Sequence, residues 1–303
     1  KKNPNTVAIE DVQWDPLSTD YMLVCYQDGC LSLVDVARDV EIHQFDRQAQ
    51  GITTMDWIRN QPGNFVTASD RMGAIKVWNV SQRSPIDQIK VGISGIASVK
   101  AFANRPEWVM TSFKNGSVGV LDMQKRKLEF ESPAGHSETI FDTAFCPGDP
   151  NMLATAAYDG FVKLWNVATA KSIREMSTGD DNLLYSLAFS PVTIKEPKIC
   201  AVSSTGKLYV WNVETGELIH RLQPHNGPIY RCQWCPQVDI NGTIRTDEWI
   251  VTGSTDGNAC ITDAVQGTTR QTFKHPNTVY GVALHPSDPN CLATGCEDGK
   301  VRL

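Results

Sequence analysis

Seven glycines divide this chain into nearly equal lengths. They are Gly29, Gly73, Gly116, Gly160, Gly206, Gly257 and Gly299, separated by 44, 43, 44, 46, 51 and 42 residues. Five positions after each of the first six stands Val34, Trp78, Leu121, Trp165, Trp211 or Thr262. The residue that follows is always Asp or Asn: Asp35, Asn79, Asp122, Asn166, Asn212, Asp263. The least altered copy, Asn151 to Asn166 (NMLATAAYDGFVKLWN), reads as an apolar run, an Asp159-Gly160 turn and an alternating run closed by Trp165. Two short strands joined through Asp-Gly are the strongest short-range hairpin signal. A fold made of one hairpin unit used many times is therefore required.

A period in the low forties that ends on a Trp-Asp-like pair is the pattern of propeller blades, four strands each. The predicted fold class is all-β, with about seven blades. The seventh Trp position falls one residue beyond Leu303, so the last blade is expected to lack its outer strand. Runs such as Phe65-Val66-Thr67-Ala68 are apolar on both faces, so each blade needs a neighbour on either side. The third strand of the second copy is expected over Ile75 to Val80, and the second strand of the fourth over Met152 to Ala157.

These residues resemble the WD-repeat family along essentially the whole chain. The resemblance implies that a blade is braced by a His before its first strand, a Ser or Thr in the second, an Asp in the turn and a Trp in the third. On that pattern the fourth copy supplies His136, Thr155, Asp159 and Trp165, and the seventh supplies His275, Thr294 and Asp298. The His-to-Asp step is 23 residues in both. The sixth supplies His225, Thr252 and Asp256, with Thr262 where Trp would stand. Copies one, three and five depart from the pattern, with Val34 and Leu121 at the Trp position and Thr205 for the turn Asp.

The pattern argues against several activities. A Thr inside a strand cannot present its oxygen to a substrate in a cleft, so the His-Thr-Asp groups are structural and no catalytic residue is assigned. The chain is expected not to be an enzyme. Cys232 and Cys235 form a CxxC with no second pair at ligand spacing, so no metal and no cofactor is expected. Nine cysteines at irregular spacing, most in apolar runs, read as small buried hydrophobes in a reducing compartment. A net charge of −6 argues against nucleic acid, which is held by clustered cations. The basic cluster Lys125 to Lys127 is read as a solvated turn between strands. Three glycosylation sequons, starting at Asn79, Asn115 and Asn241, are read as chance matches. His220 and His285 are read as surface residues. No apolar run approaches the roughly 18 to 20 residues of a membrane span.

What remains is a protein–protein interaction scaffold, a subunit of a larger assembly that binds other proteins through propeller rims and loops. The insertion Gln237 to Asp247 is a candidate contact edge. Several stretches, among them WDPLSTDYMLV (Trp14 to Val24) and ATGCEDGKVR (Ala293 to Arg302), resemble a long double-propeller member of the family. That implies a division into residues 1–134, ending one propeller, and 135–303, beginning a second. The alternative is a single seven-bladed propeller over 1–303. It also implies a cytoplasmic assembly role at the cytoskeleton or cilium. The alternative function is a substrate receptor of a ubiquitin ligase. Adaptor-binding relatives carry Arg or Lys two residues after the Trp-Asp pair, where this chain has Ala168 and Glu214.

Overall fold

The computed structural model describes residues 7–18, 20–49, 51–69, 71–91, 95–102, 105–132, 135–169, 171–180, 183–192, 194–236, 248–288 and 290–303. The first blade is β1 (Ile9–Trp14), β2 (Tyr21–Tyr26), β3 (Leu31–Asp35) and β4 (Val40–Gln44). The second is β5 (Thr54–Trp57), β6 (Asn64–Ser69), β7 (Met72–Asn79) and β8 (Asp87–Lys90). The third is β9 (Ile96–Ala101), β10 (Trp108–Phe113), β11 (Val118–Asp122) and β12 (Lys127–Ser132). The fourth is β13 (Ile140–Cys146), β14 (Asp149–Ala157), β15 (Phe161–Asn166) and β16 (Lys171–Ser177). The fifth is β17 (Leu184–Phe189), β18 (Lys198–Ser203), β19 (Leu208–Asn212) and β20 (Leu218–Leu222). The sixth is β21 (Ile229–Trp234), β22 (Trp249–Ser254), β23 (Asn258–Asp263) and β24 (Thr268–Lys274). The seventh has β25 (Val279–Leu284), β26 (Leu292–Cys296) and β27 (Val301–Arg302). Each blade is an antiparallel meander in chain order, and the seven form an all-β propeller.

Three strand limits differ from the sequence reading. β7 starts at Met72 rather than Ile75, because Met72 pairs with Ser69 across a bulge. β14 starts at Asp149, which pairs with Cys146. β12 starts at Lys127, inside the basic cluster, where it pairs with Asp122. That cluster is also neutralised rather than merely solvated: Lys125 reaches Glu129 at 2.7 Å, and Arg126 reaches Asp87 at 2.8 Å.

The apolar core is divided into wedges between blades. Leu23, Leu31 and Phe45 of the first blade meet Met55, Phe65 and Trp78 of the second. Ala154, Leu164 and Met176 of the fourth meet Leu184, Ile199 and Trp211 of the fifth. Ile9, Val12 and Met22 of the first meet Ala283 and Ala293 of the seventh. Outer strands give up this burial. The pattern in β24 is almost wholly exposed, and Ile42 and Ile173 stand about half in solvent.

Inside, the first strand of every blade faces the central axis, and each touches the next through a hydrogen bond. Gln13 Nε2 donates to Met55 O at 2.8 Å, Val99 N to Thr54 Oγ1 at 3.2 Å, and Ser98 and Thr143 hydroxyls lie 3.2 Å apart. Ser186 Oγ donates to Asp142 Oδ2 at 2.8 Å and accepts from Cys232 N at 3.3 Å. Leu284 N donates to Gln233 Oε1 at 2.7 Å, and Trp14 Nε1 donates to Ala283 O at 3.2 Å, joining the seventh blade to the first.

That last junction is tight. A Cβ on Gly281 would stand 3.1 Å from Val12 N and 3.3 Å from the Asp11 Cα. Backbone on the far side cannot step back without disturbing β1. Gly281→Val is therefore expected to destabilise by about 1 to 3 kcal/mol through overpacking. Chemical denaturation of the full chain measures it, and an unchanged midpoint would mean that the two blades do not meet there.

Candidate interaction site at the channel mouth

In six blades the turn that ends the second strand has a residue at positive φ, which glycine meets: Gly160 sits at φ 78°, whereas Gly73 of the second blade lies inside β7. Beside that turn the fourth blade brings together all four residues read from its sequence. Trp165 Nε1 donates to Thr155 Oγ1 at 2.9 Å, Thr155 Oγ1 lies 2.6 Å from His136 Nε2, and His136 Nδ1 lies 2.8 Å from Asp159 Oδ2. An indole N–H only donates and a carboxylate only accepts. The chain of protons thus runs from Trp through Thr and His to Asp, with the imidazole proton on Nδ1. Burial works to raise the Asp159 pKa, yet the His136 bond and the amides of Phe161 and Ser137 outweigh it and hold the carboxyl below its usual range. Thr155 is wholly buried and His136 nearly so.

The other copies vary this brace. In the sixth blade His225 Nε2 lies 2.8 Å from Thr252 Oγ1 and its Nδ1 3.1 Å from Asp256. Thr262 is too short to take the place of the indole, and its buried Oγ1 has no partner among the described residues. In the seventh, His275 Nε2 reaches Thr294 Oγ1 at 2.8 Å, but its Nδ1 faces the Phe273 carbonyl at 3.1 Å. Asp298 is instead clamped by the Arg302 guanidinium, whose two donors occupy both carboxylate oxygens and pull its pKa down to about 2. The fifth blade has Ala201 at the Thr position. There the Tyr209 hydroxyl donates to Asp180 at 3.1 Å while its ring stacks on Trp211.

One brace was missed in the sequence. Gln48 holds the place of the histidine in the second blade: Thr67 Oγ1 donates to its Oε1 at 3.3 Å and accepts from Trp78 Nε1 at 2.9 Å. The signal was its position 19 residues before Thr67, the step that separates His136 from Thr155 and His275 from Thr294. His285 is not a bare surface residue either. It packs edge-on to Trp14 at 4.6 Å and accepts from the Asp288 amide. Cys232 lies within its strand beside Cys200, sulfur to sulfur 3.9 Å, and Cys235 donates to the Pro236 carbonyl. The Gln237 to Asp247 insertion lies outside the described residues.

A second constellation, unread in the sequence, lines the mouth of the channel. The second residue of the innermost strand is Phe141, Tyr185, Tyr230 and Tyr280 in blades four to seven, and Glu10 in blade one. In each of these strands the register slips at that residue, between Ile140 and Asp142, Leu184 and Ser186, Ile229 and Arg231, Val279 and Gly281, and Ile9 and Asp11. A bulge leaves its extra residue unpaired and re-aims the side chain. The rings so released run into one another. Phe141 and Tyr185 centroids lie 5.4 Å apart, Tyr185 and Tyr230 5.2 Å, and Tyr230 and Tyr280 5.3 Å. Tyr158, from the turn after β14, stacks on Phe141 at 4.1 Å. Burial first, then the Tyr185 hydroxyl, push the Tyr158 phenol up, and Tyr230 is raised by burial and by the Tyr185, Tyr280 and Glu10 neighbours. All five rings are half-buried.

One layer deeper, Arg231 points at Asp11, Nη2 to Oδ2 3.7 Å, across the seventh blade, where Gly281 places no side chain between them. Desolvation opposes the Arg231 charge, but Asp11, Asp142 and Glu10 together raise its pKa.

The profile of the family described as "WD domain, G-beta repeat" matches residues 127–166, 216–263 and 267–303. Among known proteins, Periodic tryptophan protein 2 of Arabidopsis thaliana is 22% identical over 288 residues, 94% of this chain and 30% of its own. Nucleoporin Nup43 of Mus musculus is 27% identical over 55% of this chain and 43% of its own, and human WD repeat and SOCS box-containing protein 1 is 26% identical over 34% and 24%. The chain spans less than half the length of each.

Two outcomes follow for the braces. Trp165→Ala is expected to cost about 3 to 5 kcal/mol, the range for large aromatic truncations in a core, read as a lowered denaturation midpoint. Acid should weaken the fold in two stages. His225 and His275 are depressed by burial, so the unfolded chain takes up protons first and stability falls below about pH 6.5. Asp159 and Asp256, also depressed, add stability present above about pH 4 that is lost on further acidification. In a melting series from pH 7 to 5, replacing both histidines by Gln should flatten the upper stage.

Proposed function

We propose, from a chain that belongs to the WD-repeat β-propellers, that it is a non-catalytic protein–protein interaction scaffold within a larger assembly. WD40 propellers generally serve as scaffolds, and what supports that role here is the aromatic arc, five half-buried rings held side by side at one end of the channel. Rings of this kind offer large contact area with little side-chain freedom to lose, which is why interfaces favour them. The His-Thr-Asp groups contribute no chemistry, since Thr155 and Thr252 have no exposed surface. We take residues 1–303 as one propeller rather than as parts of two, on the support of the hydrogen bonds that join every innermost strand to the next. The net charge of −6 favours protein over nucleic acid as partner. A cytoplasmic assembly at the cytoskeleton or cilium is the setting we put forward, by analogy with the long double-propeller members of the family.

The test is photo-cross-linking in cells, with a cross-linking residue at Tyr280 in one version of the full-length protein and at Lys171, on an outer strand, in another. Discrete protein adducts at Tyr280 that are absent at Lys171 are expected. Equal labelling at both sites, or none at Tyr280, would overturn the assignment of the mouth as the docking face.

A further inference from the structure

Asparagine followed by glycine is among the least durable pairs a chain can carry, because no side chain on the glycine hinders its amide nitrogen from reaching the asparagine carbonyl. The sequence contains the pair at Asn115-Gly116, Asn226-Gly227 and Asn241-Gly242. The last lies outside the described residues. The other two are treated very differently by the fold.

At Asn115 both reacting groups are held. Its Oδ1 accepts from the Ser117 amide at 3.1 Å and from the Ser117 hydroxyl at 2.7 Å, and the Gly116 amide donates to Phe113 O at 3.1 Å. Gly116 sits at φ 80°, and a Cβ built on it would fall 2.2 Å from His136 O, so the turn is wedged against the loop of the next blade. Closing a ring there would break these bonds and move that turn.

At Asn226 neither group is held. The residue is exposed in the loop between β20 and β21, and among the described residues its side-chain amide makes no hydrogen bond, nor does the Gly227 N–H. Only the Asn226 backbone is anchored, its amide donating to Asp256 Oδ2 at 3.0 Å. Gly227 is not among the glycines at positive φ, and the matching loops carry Glu138 in the fourth blade and Asn277 in the seventh. The backbone conformation thus does not demand glycine here, and its presence makes the pair labile.

We propose that Asn226 is a site of spontaneous deamidation and backbone isomerisation whose product loosens the sixth blade. The Gly227 nitrogen gives its proton to water and bonds to Asn226 Cγ. The bond from Cγ to Nδ2 breaks, and the nitrogen takes up a proton and leaves as ammonia, which closes a cyclic imide. Water then adds to either imide carbonyl. Opening at one returns the original main chain with aspartate, and opening at the other routes the main chain through Cβ and Cγ as isoaspartate. Water is the only reagent consumed.

The residues just beyond Asn226 have no slack to absorb the longer main chain. Ser254 Oγ donates to Gly227 O at 3.0 Å and to Pro228 O at 2.8 Å, and Thr255 N donates to Pro228 O at 3.0 Å. A Cβ on Gly227 would stand 2.4 Å from Thr255 Oγ1, so a bulge has no room on that side. The new carboxylate also arises beside Asp256, the partner of His225 Nδ1 at 3.1 Å, and like charges repel. Both effects fall on a brace that already has Thr262 in place of the tryptophan.

The experiment ages the whole folded chain in heavy-oxygen water at neutral pH and maps its peptides by mass spectrometry, with electron-transfer fragmentation to separate aspartate from isoaspartate. Asn226 is expected to take up heavy oxygen about tenfold faster than Asn115, with isoaspartate the larger product, and unfolding in urea should bring the two rates together because the hydrogen bonds that shield Asn115 are lost. Asn226→Gln, whose longer side chain closes its ring far more slowly, should abolish the signal. Ageing should lower the denaturation midpoint of the unchanged chain and spare that of Asn226→Gln. An intact Asn226 in the aged folded chain, or Asn115 converting as fast as Asn226 while folded, would overturn the site. Conversion at Asn226 with equal midpoints for the two aged chains would overturn its effect on the blade.

Discussion

Lateral burial is the constraint on which this protein depends. Its apolar clusters lie between blades, with Phe65 and Trp78 packed against Leu23 and Phe45 of the preceding blade and Trp211 against Leu164 and Met176. A four-stranded meander with two apolar faces cannot satisfy either by itself, because a small sheet has no second layer to cover it. Stability is thus a property of neighbouring pairs, as in other repeat architectures. The tightness of Gly281 against β1 belongs to the same logic, since closing a ring leaves the last junction no slack.

The braces are a local answer to that dependence. A Trp buried at the end of the third strand carries an N–H that must find an acceptor, and the buried Thr oxygen supplies one at 2.9 Å in both the second and fourth blades. What completes the chain is interchangeable. His136 and Asp159 do it in one blade and Gln48 takes the first place in another, while Asp298 turns to Arg302 in the seventh. The fifth blade, with Ala201 at the Thr position, stacks Tyr209 on Trp211 and ties its hydroxyl to Asp180. The recurring demand is for satisfied buried polar groups, and the residue types are secondary.

Rigid blades in turn make the channel mouth a fixed surface. Each bulge at the second residue of an inner strand releases one side chain from the ladder, and six of the seven inner strands repeat that release around the axis. Where four consecutive copies carry an aromatic residue, the rings touch and limit one another's rotation. Such a surface loses little freedom on binding, which is the advantage of preorganisation.

The sequence by itself determined the fold. The glycine ruler, the Asp-Gly hairpin and runs apolar on both faces leave no solution except repeated blades, since those signals are local or strictly periodic. It also placed His136, Thr155, Asp159 and Trp165 as one group, because their offsets follow from adjacent strands in a single blade. It did not show Gln48, whose residue type departs from the pattern while its 19-residue offset keeps it. Nor did it show the arc. Phe141, Tyr185, Tyr230 and Tyr280 stand 44, 45 and 50 residues apart, and in the sequence each is one more apolar residue in a strand. Only the tertiary structure turned them to the same side, because a bulge and a closed ring bring each of these residues, from four different blades, within 6 Å of the next, and neither follows from the composition of any one strand.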